Sequence, residues 1–523
     1  MFYLNFFLIC AVLSVLVNNA SPAKILAVFP VPSISHQVVF QAYIKELANN
    51  GHELVIITPN PFIAKENIKN VTEIDVSAAY EVVKNIMQKN NPEQNFRRGV
   101  VQDPSPENLT GLYKLVTQMF VAQFNQPSVK KLIKDKEQFD LVIIEAFLEY
   151  SLIFSHIFKA PTILLCSFFG FPKLHDVIGS ASRHPIFYPH LQRTKFRDYT
   201  FWDRIRETVL ELRLKYSESV IDQYQNEALK KNFGDDTPTV DELQSNIDLL
   251  FLNSHPMITN NRPAPPNLIH LGGLHLKPIK DLPQDLKQYL DSSTQGVVYV
   301  SFGSNVKPAN MDTELLNVFI EAFKKLPYNV LWKFDGDNLK DLPGNLKIQK
   351  WFPQRDLLAH PNVKVFVTQG GLQSFDEAVD VAVPLVGIPM MNDQWHNAYK
   401  FVDLGIGLTL DALILKTDDV VNAVETVIKD DSFKKNMEKI RRIWYDQPQK
   451  PMERAIWWTE YVLRHGGARH LRAASANVSW IEYWMIDVVA ALFVALFMVV
   501  VTIVSIVNKI FNLCVGKRKV KTN

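Results

Sequence analysis

The side chains best suited to chemistry are densest between residues 351 and 397. There the run 368–374, Thr-Gln-Gly-Gly-Leu-Gln-Ser, follows a strand-like segment and leads into a helical one. A glycine pair at such a turn lets the backbone approach a ligand closely, and the helix N-terminus offers free N–H donors to an anion. The run therefore predicts a phosphate or diphosphate site, with a simple tight turn as the alternative. It lacks the Gly-x-Gly-x-x-Gly spacing and the Walker lysine.

Neighbouring residues fit the other parts of a nucleotide sugar. Glu377, one turn into the helix, can accept hydrogen bonds from ribose hydroxyls, or simply balance the helix dipole. Trp351 can stack on a planar base, or belong to the core. Asp393 and Gln394 follow a later strand and can bind sugar hydroxyls. Ser304 ends another strand among small residues that suit a phosphate.

Two α/β series must position these residues. The first opens with strand 25–29, helix 37–49 and strand 53–58, a βαβ unit that predicts a parallel sheet. Prolines and glycines crowd residues 253–285, which we interpret as an interdomain connection. The remaining strand candidates are 139–144 and 162–166 before it, and 297–301, 330–334, 363–368 and 385–388 after it. Two such domains would face one another across a cleft, where ligands commonly bind.

Both ends of the chain carry apolar segments. The run 6–17 is too short to span a bilayer and predicts a secretory signal peptide, with a buried helix as the alternative. The run 488–507 is long enough to span one, and the basic tail after it marks the cytoplasmic side. Lys519 and Lys521 resemble a dilysine retrieval signal, although a plain stop-transfer flank also contains lysines.

Composition excludes several classes of protein. The 56 basic and 54 acidic residues leave no basic stripe, so we expect no nucleic-acid partner. The three cysteines fall into different predicted compartments, so we expect neither a disulfide framework nor a cysteine-based metal site. Asn70, Asn108 and Asn477 begin sequons and are candidates for glycosylation.

Several motifs in one order resemble the UDP-glycosyltransferase family, and its arthropod branch most closely. They are Trp-Phe-Pro-Gln at 351–354, Thr-Gln-Gly-Gly at 368–371, Ser374 with Glu377, and the run 383–394 that ends in Asp-Gln. The resemblance covers essentially the whole chain. It implies an α/β GT-B fold, with two Rossmann-like domains facing a cleft and a C-terminal transmembrane helix.

With this resemblance, the chain divides into seven predicted segments. They are a signal peptide (1–20), an N-terminal acceptor-binding domain (21–262), a linker (263–285), a C-terminal UDP-sugar-binding domain (286–450), a return helix with a juxtamembrane segment (451–487), a transmembrane helix (488–507) and a cytoplasmic tail (508–523). Residues 168–216, rich in Phe, His, Arg and Tyr, are expected to form part of the acceptor pocket.

The resemblance also implies roles for the matching positions. The donor would be held at uracil by Trp351, at the ribose by Gln354 and Glu377, at the diphosphate by Ser304, Gly371 and Ser374, and at the sugar by Asp393 and Gln394. Gly370 is a further candidate for binding the UDP-sugar. Gln369 replaces the family's diphosphate histidine and keeps only a neutral donor. Gln373 stands where many relatives carry Asn. His36 matches the family's general base, and Glu145 matches the aspartate that orients it.

The resemblance therefore implies inverting transfer of a hexose, most simply glucose, from a UDP-sugar to a hydroxyl of small lipophilic acceptors. The alternatives are UDP-glucuronic acid as donor, or a membrane-anchored carrier of lipophilic ligands whose catalysis has decayed. A nicotinamide-dependent oxidoreductase lacks its glycine-rich fingerprint here. We expect no cofactor besides the UDP-sugar co-substrate, no metal, and a single-pass type I protein of the endoplasmic reticulum with a lumenal catalytic part. The sequence leaves open whether the chain forms a homo-oligomer.

Overall fold

The computed structural model describes residues 22–66, 68–81, 96–97, 100–101, 105–180, 183–191, 193–336, 339 and 342–519. The predicted signal peptide lies outside these residues. The first half of the described chain contains nine strands: β1 (Lys24–Val28), β2 (Glu53–Thr58), β3 (Val71–Asp75), β4 (Phe96–Arg97), β5 (Val100–Val101), β6 (Leu141–Glu145), β7 (Thr162–Cys166), β8 (Ile247–Leu252) and β9 (Leu268–His270).

Seven of these strands form one parallel sheet in the order β3-β2-β1-β6-β7-β8-β9, while β4 and β5 pair separately and antiparallel. Its central strands are mostly apolar, with polar residues chiefly at their ends, because helices cover both faces. In β1, for example, Leu26 and Val28 join the core on one face, and Ile25 and Ala27 join the core on the other. The helices of this half are α1 (Ile34–Asn49), α2 (Ile63–Glu66), α3 (Pro106–Phe124), α4 (Pro127–Asp135), α5 (Ile153–Phe158), α6 (Pro172–Val177), α7 (Phe201–Phe233) and α8 (Val240–Gln244).

The second half builds a six-stranded parallel sheet in the order β12-β11-β10-β13-β14-β15. Its strands are β10 (Val297–Ser301), β11 (Asn329–Lys333), β12 (Leu346–Gln349), β13 (Val363–Thr368), β14 (Leu385–Gly387) and β15 (Gly407–Thr409). Its helices are α9 (Gln284–Ser292), α10 (Thr313–Lys325), α11 (Gln354–Leu358), α12 (Leu372–Asp380), α13 (Gln394–Asp403), α14 (Thr417–Lys429) and α15 (Asp431–Tyr445). The α/β class predicted from the sequence is confirmed, with two parallel sheets and helices on both faces of each.

After the second sheet the chain returns to the first. Helix α16 (Pro451–His465) packs against α1, and its residues Ala455 and Val462 belong to the core of the first sheet. The Tyr43 hydroxyl is hydrogen-bonded to Thr459, and the His52 ring nitrogen lies 2.8 Å from a carboxylate oxygen of Glu460. The last helical segments of the first domain are therefore contributed by residues far along the chain.

Beyond the short helix α17 (Trp480–Tyr483), the chain ends in the long helix α18 (Ile486–Lys519). Within the described part of the chain, Ile486–Cys514 is the one helical stretch that is both long and apolar enough to cross a membrane. It contains the predicted span 488–507. Its residues from Asp487 to Cys514 are all exposed in the described structure.

Two elements differ from the sequence expectation. The strand β9 lies inside the range 263–285 that was interpreted as a linker, so the first sheet continues past residue 262 and the connection between the sheets is shorter. About two thirds of the range 168–216 lies before α7, and the remaining residues, 201–216, form its N-terminal turns, which a pattern of aromatic and basic residues did not predict as helix.

Candidate functional site

In the first sheet, the chemistry-bearing residues sit where the strand order reverses. Strand β1 continues into the loop 29–33 and then into α1, whose first turn carries His36. Strand β6 is the neighbour of β1 on the other side, and Glu145 is its last residue. Ligands bind in parallel α/β sheets at the carboxyl ends of such diverging strands. The topology therefore brings residues 109 positions apart into one corner of the sheet.

His36 and Glu145 form a hydrogen-bonded pair. The Nδ1 atom of His36 lies 2.8 Å from Oε1 of Glu145, and the other carboxylate oxygen accepts from the Val31 backbone N–H at 3.0 Å. The carboxylate is 2% exposed and the imidazole 18%. Burial raises the pKa of Glu145, and the hydrogen bond from His36 opposes that rise. The buried carboxylate thus holds the Nδ1 edge of a half-buried imidazole. The other ring nitrogen, Nε2, is left available to accept a proton.

The second sheet has the same arrangement. Its strand order reverses between β10 and β13, and Ser304 follows β10 while the run 369–371 follows β13. Helix α12 begins at Leu372, directly after this run, so its free N–H groups point towards the same corner. Gly370 has a φ of +88°, a conformation that favours glycine, and a Cβ there would meet the backbone oxygen of Gln394 at 3.1 Å.

A compact hydrogen-bond cluster ties three of the predicted donor residues together. The amide nitrogen of Gln354 donates to Glu377 at 2.6 Å and to the hydroxyl of Ser374 at 2.9 Å, and its oxygen accepts from Tyr299 at 3.2 Å. Burial raises the pKa of Glu377 to about 7, against the hydrogen bond from Gln354. Gln354, Ser374 and Glu377 are therefore held in fixed positions before any ligand arrives.

Asp393 and Gln394 stand at the start of α13. Asp393 accepts from the Asn397 amide at 2.8 Å, and the Gln394 side-chain oxygen accepts from the backbone N–H groups of Met390 and Met391. Burial raises the pKa of Asp393, the Asn397 hydrogen bond opposes it, and so does the charge of His36 from the other domain. Asp393 and His36, from different domains, both line one space.

That space is an interdomain cleft of about 410 Å³. Eleven residues predicted for the site line it, from both domains: His36, Ser304, Trp351, Gln354, Gln369, Gly371, Gln373, Ser374, Glu377, Asp393 and Gln394. Glu145 lies behind His36, and Gly370 is buried beneath the turn, where its carbonyl accepts from Asn397. The structure thus brings the two groups of sequence-predicted residues to a single cavity.

Trp351 and Gln373 occupy the rim and the domain boundary of this cleft. The Trp351 indole is 68% exposed, and Lys333 lies over its ring, with Nζ 4.8 Å from the centroid. The Gln373 amide donates to the Ser167 carbonyl of the first domain at 3.0 Å. Gln373 therefore spans the two domains instead of pointing only at the donor end.

The cleft also holds residues that the sequence analysis did not select. Lys333, the last residue of β11, donates from Nζ to the Gly303 carbonyl at 2.8 Å. Its position at the end of a strand that neighbours β10 is the sequence feature that could have identified it as a site residue. At the other end the cleft is lined by Phe147, Phe168 and Phe171. Phe168 and Phe171 share the loop between β7 and α6 and belong to the range 168–216 expected to form part of the acceptor pocket, whereas Phe147 follows β6 and was not selected.

No group of three or more His, Cys, Asp or Glu residues suited to a metal ion occurs among the described residues. Cys166 is buried, and burial raises the pKa of its thiol. The polar groups of the cleft are hydroxyls, amides, backbone N–H groups and carboxylates, together with the His36 imidazole and the Lys333 ammonium group. Such an arrangement suits a neutral or hydroxyl-rich ligand joined to an anion at a helix N-terminus.

The family of "UDP-glucoronosyl and UDP-glucosyl transferase" proteins matches this chain over residues 23–521. The chain belongs to this family. It is similar to the ecdysteroid UDP-glucosyltransferase of Spodoptera littoralis nuclear polyhedrosis virus, with 39% identity over 92% of this chain and 96% of that protein. It is also similar to UDP-glucosyltransferase 2 of Dactylopius coccus, with 34% identity over 93% of each chain.

Among solved structures, this transferase is similar to CalG4, the calicheamicin glycosyltransferase. The TM-score is 0.56 at 18% identity, over 85% of this chain and 99% of that one. The likeness confirms the predicted GT-B fold, two facing α/β domains with the cleft between them. The resemblance inferred from the motifs is confirmed as well, and the chain is a UDP-glycosyltransferase.

The three sequons of the transferase differ in exposure. Asn108 and Asn477 are exposed. The side-chain nitrogen of Asn70, the atom that would carry a glycan, instead donates to the backbone carbonyls of Ala48 and His52. A glycan on Asn70 would remove these hydrogen bonds in the folded domain, so the structure favours the other two positions.

Proposed function

We propose that this protein transfers glucose from UDP-glucose to a hydroxyl group of small lipophilic acceptors, with inversion at the anomeric carbon. The observation that carries the proposal is the hydrogen-bonded His36–Glu145 pair facing Asp393 across one cleft. The curated relatives described above are named as glucosyltransferases, which supports glucose as the sugar.

The donor would lie along the second domain. Trp351 would stack on uracil, Gln354 and Glu377 would hold the ribose, and Asp393 with Gln394 would bind the sugar. A glucuronic acid donor would bring a second carboxylate next to the buried carboxylate of Asp393, which favours the neutral sugar. Lys333 lies at the Trp351 end of the cleft and not at the sugar end.

The diphosphate would rest on Ser304, Gly371 and Ser374 at the start of α12, supported by backbone N–H groups. Gln369 supplies an amide donor in place of a cationic histidine. The charge that develops on the leaving diphosphate would then be stabilised by neutral donors and the helix N-terminus.

In the chemical step, Nε2 of His36 takes the proton from the acceptor hydroxyl. The acceptor oxygen forms a bond to the anomeric carbon as the bond from that carbon to the UDP oxygen breaks, and UDP leaves with the electron pair. Glu145 orients the imidazole and stabilises its positive charge. A base that works near neutral pH suits this step.

The acceptor would occupy the first-domain end of the cleft, where Phe147, Phe168 and Phe171 surround His36. Ring centroids of Phe147 and Phe168 lie 6.0 and 6.1 Å from that of His36. An aromatic wall beside the base favours an apolar molecule that presents one hydroxyl.

We further propose that α18 anchors the enzyme in the endoplasmic reticulum membrane, with the catalytic domains in the lumen and glycans on Asn108 and Asn477.

The function is tested by UDP release from the full-length protein in microsomes. UDP-glucose and UDP-glucuronic acid would be compared over a panel of phenols, flavonoids and an ecdysteroid. We expect acceptor-dependent UDP release with UDP-glucose, matched by glucoside formation. Release with UDP-glucuronic acid alone would overturn the donor assignment. Saturable UDP binding with no transfer from either donor would instead indicate the carrier without catalysis.

Donor binding should depend on pH through Glu377. Its pKa of about 7 means that the carboxylate that accepts from the ribose is half protonated near neutrality. The deprotonated fraction rises about tenfold between pH 6 and pH 8, so the Kd of UDP-glucose is expected to fall by about that factor. Calorimetry without acceptor measures it. Glu377→Gln should remove the dependence, whereas Glu438→Gln, an exposed glutamate of α15, should keep it. An unchanged slope in Glu377→Gln would contradict the assignment.

Gly303 is expected to be needed for the diphosphate site. Its φ is +73°, and a Cβ there would lie 2.2 Å from the amide nitrogen of Gln369. Gly303→Ala must therefore displace Gln369 and hold alanine in the left-handed region, at a cost of about 1–2 kcal/mol. The KM for UDP-glucose should rise about tenfold. Gly344→Ala, where nothing lies within 4 Å, is the matched control. Equal KM values for the two variants would rule this role out.

A further inference from the structure

A second, smaller cavity lies behind the aromatic end of the cleft. It has a volume of about 50 Å³ and lies in the first domain, between α3, α6 and α7. Tyr113, Phe147 and Phe171 line both this cavity and the cleft. We call the smaller cavity the annex. A water-sized group needs roughly 10–15 Å³ of such volume, so the annex has room for about four non-hydrogen atoms.

Three aromatic rings separate the annex from the cleft. The ring centroids of Phe147 and Phe171 lie 5.4 Å apart, and that of Tyr113 lies 6.1 Å from Phe171 and 6.5 Å from Phe147. These are the distances of aromatic rings in contact. The Phe147 ring is also 6.0 Å from the ring of His36. The annex therefore begins one aromatic ring away from the proposed base.

A buried cluster of charges forms part of the annex wall. Lys173 of α6 is paired with Asp222 of α7, and its Nζ lies 3.3 Å from Oε1 of Glu149. The three side chains are 18%, 17% and 11% exposed. Burial raises the pKa of Asp222, and the charge of Lys173 opposes that rise. When both carboxylates are ionised, one negative charge is in excess inside the domain.

These carboxylates have unused capacity to accept hydrogen bonds. Among the described residues, the one hydrogen-bond donor to Asp222 is Lys173, and Glu149 accepts from Gln225 at 3.1 Å besides its contact with Lys173. An ionised carboxylate can accept about four hydrogen bonds. A further donor in the annex would therefore be bound without displacing any protein contact.

Two hydroxyl-bearing side chains also line the annex. Ser217 of α7 is buried, and Tyr113 belongs to α3. Within the described part of the chain, neither hydroxyl makes a hydrogen bond with another residue. Buried polar groups in folded proteins are normally satisfied by protein, water or a ligand. The annex thus offers partners for a group that both donates and accepts.

The charge of the annex limits which group fits. Glu218, the remaining carboxylate in its wall, is held by two guanidinium nitrogens of Arg183, each at 2.7 Å, and adds no free charge. The excess negative charge of the Lys173 cluster opposes a ligand carboxylate. An apolar group would leave the hydroxyls and carboxylates unsatisfied, which costs binding energy. A neutral hydroxyl on a short alkyl chain matches both the volume and the chemistry.

We propose that the annex binds the far end of the acceptor, and that this end is a short, uncharged hydroxyalkyl group. Its hydroxyl donates to Asp222 or Glu149 and accepts from Ser217, while a different hydroxyl of the acceptor lies at Nε2 of His36. The apolar body of the acceptor lies between them, against the three aromatic rings. The inference rests on the proposed function and adds to it a specificity site away from the reacting atoms.

Three phenols of similar shape test the annex. They are para-(hydroxypropyl)phenol, para-butylphenol and para-hydroxyphenylpropanoate, which carry a hydroxyl, a methyl and a carboxylate at the far end. Calorimetry at about pH 8 on the purified full-length protein with UDP bound gives each Kd without requiring turnover. Because the hydroxyl gains hydrogen bonds to charged groups, its Kd should be at least about fivefold below that of the butyl compound and about tenfold below that of the propanoate.

Two variants locate the contact. Ser217→Ala should raise the Kd of the hydroxypropyl compound about fivefold and change that of the butyl compound by less than about twofold. Asp222→Asn removes the excess negative charge, so the Kd of the propanoate should fall at least about fivefold, a gain that partial unfolding cannot produce. Ser219→Ala and Asp236→Asn, at exposed positions, are the matched controls and should behave like wild type.

The outcomes separate the annex from the proposed function. Equal Kd values for the hydroxypropyl and butyl compounds would overturn the annex site, and so would a preference that survives in both variants. Glucoside formation from UDP-glucose on the same phenols is measured in parallel. The expected Kd pattern without glucoside would support the annex and overturn the proposed glucosyl transfer. Glucoside formation with no difference among the three phenols would do the reverse.

Discussion

His36→Ala is expected to lower kcat by about 10²–10⁴-fold, the usual contribution of a positioned general base. The affinity for UDP-glucose should change by less than about twofold, because the proposed donor contacts come from the second domain. Endpoint or enzyme-coupled assays of UDP release give kcat, and calorimetry gives the Kd of UDP-glucose. His156→Ala, an exposed histidine of α5 in the same domain, is the control and should keep full activity.

Turnover by His36→Ala close to wild type, with UDP release still coupled to glucoside formation, would remove His36 from the chemical step. A parallel loss of donor affinity and of thermal stability would indicate a structural role instead. The fall in kcat alone, at unchanged donor Kd, is the result that the proposed mechanism requires.

Glu145→Gln is expected to lower kcat by about 10³-fold without unfolding the domain. The amide oxygen of the glutamine can still accept from the Val31 N–H, and its nitrogen then faces Nδ1 of His36. That nitrogen donates a hydrogen bond, so the imidazole proton moves to Nε2 and the atom that faces the acceptor can no longer take a proton. The measurement is kcat over pH 5.5 to 9, together with circular dichroism.

Glu145→Asp serves as the matched variant. It keeps the negative charge and has the residue type typical of the family, but its side chain is one methylene shorter. We expect it to lose less than about tenfold in kcat and to keep the shape of the pH profile. Equal losses in the Gln and Asp variants would indicate that packing of this buried position, and not the imidazole tautomer, controls the rate.

The donor half of the site was predictable because its residues are local. Val363–Thr368 is a buried apolar run, and the glycine pair and helix start follow within six residues, so strand, turn and helix N-terminus can be read directly. The sequence does not predict the hydrogen-bond cluster in which Gln354 donates to Glu377 and Ser374. It depends on how α11 packs against α12, and that distance is set by the whole domain.

The acceptor half was harder to predict for a physical reason. Helix α7 buries Leu214 and Ile221 on one side and exposes Val209 and Leu212 on the other, so its apolar residues do not mark a single face. Hydrophobic periodicity detects a helix only when one face is polar. Strand β9 was not predicted for a different reason. Its three residues, set among prolines and glycines, are too few to show an alternation of apolar and polar side chains.

The return of the chain to its first domain sets a limit on how the enzyme can be shortened. Ala468 donates its backbone N–H to the buried Asp248, which also accepts from Thr162 in β7. Ala476 packs against Gly179. A shortened form of the enzyme without α18 must therefore keep the chain to at least Ala476. Termination after α15, the last helix of the second sheet, would remove Ala455, Val462 and Ala468 from the core of the first domain. Every proposed catalytic and donor residue would still be present in that shortened chain.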